Sequence, residues 1–126
     1  ELATAESAPA FFNSNNDEDN FDNRSDNKGP EPEGVAIGNV GARRYAFVGL
    51  ERIGGLAVFD LSDVASPAFV THVNNRDFAA GNRRPAPDSG PEIVRFVPAD
   101  GSPAGEPLVV VANEVSGTVT LWRVTP

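Results

Sequence analysis

Two stretches of this chain follow one pattern. Pro32-Glu33-Gly34-Val35-Ala36-Ile37 matches Pro91-Glu92-Ile93-Val94-Arg95-Phe96 at an offset of 59, and Val48-Gly49-Leu50-Glu51 followed by Gly54 matches Val111-Ala112-Asn113-Glu114 followed by Gly117 at an offset of 63. The four-residue difference falls in the Gly/Pro-rich stretch 98–107, where a surface loop tolerates insertion. A repeat of about 60 residues restricts the chain to architectures built from stacked copies of one unit.

Within each unit the signal is period two with β-branched and aromatic residues, which reads as short strands. In the first unit the strands are expected at Val35–Ile37, Arg44–Leu50, Leu56–Leu61 and Ala68–Asn74, with turns at Gly38–Gly41 and Ile53–Gly55. In the second they are expected at Glu92–Val97, Leu108–Asn113 and Thr118–Val124. Serial antiparallel strands in such units predict an all-β chain of about two four-stranded propeller-type blades. A β-sandwich is the alternative. Residues 1–26 form an irregular Asn/Asp-rich segment, and 27–126 the blades, 27–78 the first and 89–126 the second. Phe11-Phe12 is expected to anchor that segment on a core.

Two blades do not close a ring that needs roughly four to eight, and open strand edges invite pairing. The chain therefore reads as the C-terminal part of a larger propeller, a processed or truncated product that starts at Glu1. The expected partners are the remaining blades or another β-rich chain, with self-association through edge strands.

Composition narrows the chemistry. Eighteen acidic against ten basic residues give a net charge of −8, which disfavours nucleic acid and anionic membrane surfaces. No apolar run is long enough for a membrane span. There is no Cys and one His, His72, so thiolate and multi-His metal sites are excluded. A metal would need oxygen ligands, which favours calcium or magnesium.

Two carboxylate sets are candidates. Asn15, Asp17, Asp19, Asn23 and Asp26 fall at positions 1, 3, 5, 9 and 12 of a calcium loop. Against it, Asp26 replaces the bidentate Glu and no helix flanks the loop; a solvated polar loop is the simpler reading. Glu33 and Glu92 take matching places before the inferred inner strands, where a ring of carboxylates would hold hard cations. Glu31, Glu51, Glu114 and Arg52 are further candidates, with structural ion pairing as the competing role. His72, on an outer strand, and the scattered serines show no triad context.

Five stretches carry a resemblance: Asp26–Gly34, Tyr45–Arg52, Val58–Asp63, Asn74–Phe78 and Leu108–Thr118. Together they resemble the C-terminal end of the choice-of-anchor I proteins, a secreted or surface-anchored family similar to the mesenchyme-specific cell-surface glycoprotein of echinoderm skeleton-forming cells. The resemblance spans residues 13–124. It implies an extracellular, cell-surface or periplasmic location and a propeller-like domain, and it brings alkaline-phosphatase and phytase-like labels but no transferable catalytic set. The expected function is a non-catalytic scaffold module that binds cations or partners. The alternatives are a calcium-dependent phosphoesterase, in which Glu33 and Glu92 converge on the metal, and a structural subunit of a surface layer or filament.

Overall fold

The computed structural model describes residues 11–15, 20–78 and 88–125. Four strands, β1 (Pro32–Val40), β2 (Arg43–Leu50), β3 (Leu56–Asp60) and β4 (Ala68–Val73), form one sheet in the order β1-β2-β3-β4. Three more, β5 (Pro91–Val97), β6 (Leu108–Asn113) and β7 (Thr118–Arg123), form a second in the order β5-β6-β7. All pairings are antiparallel. The fold is all-β, with two blade-like sheets.

The repeat is physical. Val35 pairs with Val48 in the first sheet and Val94 with Val111 in the second, and a one-residue bulge follows Pro32 in one and Pro91 in the other. Each bulge holds a glutamate, Glu33 or Glu92. The turn after the second strand closes alike in both: Gly54 N–H donates to Leu50 O at 2.8 Å, and Gly117 N–H to Asn113 O at 2.9 Å. The chain entering each sheet alternates into the left-handed region at equivalent residues, Gly29 (φ 60°) and Glu31 (φ 53°) against Asp88 (φ 49°) and Gly90 (φ 76°).

One boundary differs from expectation. Gly38–Val40 continues β1 rather than turning, and the reversal falls at Gly41, φ 60°. Gly38 belongs in the strand because the Phe96 ring lies where its side chain would stand. That close approach sets β1 against β5.

The sheets pack face to face around Val40, Phe47, Leu56, Val94, Val109 and Val111. The Phe47 and Phe96 rings stack at 5.7 Å across the seam. Period two sends alternate residues to the opposite face. There Leu50, Ile53 and Ala57 form a smaller cluster with Phe78 packed on it. Phe11 stacks on Phe78 at 3.9 Å and so anchors as expected, while Phe12 lies beside the exposed Phe21 at 5.9 Å.

Candidate functional site

Three of the described carboxylates gather at one corner of the first sheet. Glu31 stands immediately before β1, Glu33 in its bulge and Glu51 at the end of β2. One oxygen from each lies within 4.8 Å of the others. Backbone pairing creates the corner: Glu51 N–H donates to Glu31 O at 3.0 Å, and Arg52 N–H to Pro30 O at 3.2 Å.

Glu31 is buried, and its carboxylate meets three cations: Arg24, Lys28 and Arg52. The hydrogen bond from Lys28 leads in holding its pKa below the ordinary carboxylate value; burial opposes, and Arg52 adds to the lowering. Glu51 is also buried and pairs with Arg52 Nη1 at 3.1 Å. Burial nonetheless pushes its pKa up, and neighbouring Glu31, Glu33 and Glu114 add to the push against Arg52. Glu33 is exposed. The corner thus holds one well-neutralised carboxylate, one whose charge is penalised and one open to solvent.

The turn behind the corner is braced from β4 and the loop after it. His72 Nε2–H donates to Gly54 O at 2.9 Å, Asn74 Nδ2 to Ile53 O at 3.0 Å, and Arg76 Nη1 to Arg52 O at 2.9 Å. Arg76 also lies over the Phe78 ring at 4.5 Å. These side chains fix the segment carrying Glu51 and Arg52.

The second sheet builds its equivalent corner differently. Gly90 replaces Glu31, and Glu92 and Glu114 are exposed. Asp88 accepts from Thr118 Oγ1 at 2.7 Å and also from Asn75. Burial opposes its charge, but hydrogen bonds from Thr118, Thr120 and Asn75 outweigh it and lower the pKa. The structure therefore groups Glu33 with Glu31 and Glu51 on its own sheet, and Glu92 is outside that group.

In the Asn/Asp-rich segment, Asn15 N–H donates to Asn23 Oδ1 at 3.0 Å, Asn13 Nδ2 donates to Ser25 Oγ at 2.6 Å, and Asp26 is exposed. Asp17 and Asp19 lie outside the described residues. Sequence reasoning missed Arg24, Lys28 and Arg76. The available signal was Glu31 itself, a non-glycine aligned with Gly90 just before a strand.

A model of the choice-of-anchor I domain matches residues 1–64. Gigasin-3a of Magallana gigas is 33% identical over 128 residues, covering 92% of this chain and 45% of gigasin-3a. The mesenchyme-specific cell surface glycoprotein of Strongylocentrotus purpuratus is 42% identical over 41 residues, covering 32% of this chain and 5% of that protein. The chain thus spans less than half the length of either relative. No solved structure matches it. The repeat, the serial sheets and the family match agree: the chain belongs to the choice-of-anchor I family.

Proposed function

We propose that the chain is part of a secreted or surface-borne β-rich module that works by binding, and that its acidic corner takes a hard divalent cation such as calcium. Family membership and a relative named as a cell surface glycoprotein support the location. Among the described residues, no helix is long and apolar enough to cross a membrane.

The observation that carries the cation reading is the grouping of Glu31, Glu33 and Glu51 oxygens within 4.8 Å. Calcium is bound by oxygen ligands of this kind. Glu31 already meets three basic side chains, so Glu33 and Glu51 are the ligands left for an incoming ion. An ion beside Glu51 would offset the burial penalty on its charge and the added repulsion from neighbouring carboxylates, and would compete with Arg52. Calcium titrated into the chelator-treated chain should bind saturably and raise the unfolding temperature. Glu33→Gln with Glu51→Gln should abolish both effects. Absence of binding in the unaltered chain would leave the corner a purely structural ion-pair cluster.

A second reading, a structural subunit of a surface assembly, is favoured by large apolar side chains exposed on the outward faces of both sheets, Val35, Ile37, Ile93, Val119 and Leu121 among them.

A further inference from the structure

No further inference is drawn: the strongest candidate, the apolar cleft between β4 and β7 lined by Tyr45, Phe47, Val58, Val73 and Trp122, carries none because nothing in the structure shows what covers it.

Discussion

At the scale of single residues, Glu31 combines two unfavourable choices. It is a non-glycine in the left-handed region, φ 53°, and a buried carboxylate. The left-handed conformation costs roughly 1–2 kcal/mol for a residue with a Cβ, and the equivalent residue of the second sheet, Gly90, avoids it. Arg24, Lys28 and Arg52 offset the burial. Two substitutions separate the effects. Glu31→Ala keeps the backbone strain and removes the carboxylate that Arg24, Lys28 and Arg52 share, Arg52 keeping Glu51, for a loss of about 3 kcal/mol, as for a broken buried ion pair. Glu31→Gly strips the same partner but releases the strain. Allowing for the extra chain entropy of glycine, it should be about 0.5–1 kcal/mol less destabilising than Glu31→Ala. Urea unfolding of the two variants checks the order, and the reverse order would mean the backbone is unstrained.

At the scale of elements, β4 and its following loop act as a brace on the turn after β2, through His72, Asn74 and Arg76. Burial lowers the His72 pKa, while its bond to Gly54 O works the other way. A histidine with a lowered folded pKa is stabilising as the neutral form above its unfolded value, about 6.5, and that contribution is lost as pH falls toward the folded value. The brace should therefore loosen in acid. Between pH 7 and pH 5 the unaltered chain should lose more thermal stability than His72→Gln, whose amide donates to Gly54 O without titrating. A parallel decline in both would remove His72 from the account. Strands were legible in sequence because period two is local, as in Leu108–Asn113. The brace was not, because the contact of Arg76 with Arg52 O joins residues 24 apart and leaves no periodic trace. The same distinction governs the site. Glu33 and Glu92 were paired by repeat equivalence, yet equivalent residues lie one sheet apart. Glu31, Glu33 and Glu51 meet because they sit at the ends of adjacent strands, which a hairpin brings together.

At the scale of the whole molecule, the two sheets share the larger core, and neither buries its inner face alone. Phe47 from the first sheet stacks on Phe96 from the second, and Trp122 packs against the same cluster. The chain has a single Trp, so its fluorescence reports the seam from the side of the second sheet. Phe47→Ala removes a ring that is 2% exposed, and the lost burial plus the cavity left behind costs about 3–4 kcal/mol. That is a large share of the roughly 5–15 kcal/mol typical of a domain. Because the substitution lies in one sheet and the reporter in the other, the outcome separates two cases. If the sheets fold as one cooperative unit, Phe47→Ala moves the Trp122 transition and the far-ultraviolet circular dichroism transition together, with the two still coincident. If each sheet is its own unit, Trp122 keeps its midpoint while the dichroism curve splits. The stacked Phe47–Phe96 contact and the close fit of Phe96 against Gly38 favour the cooperative outcome.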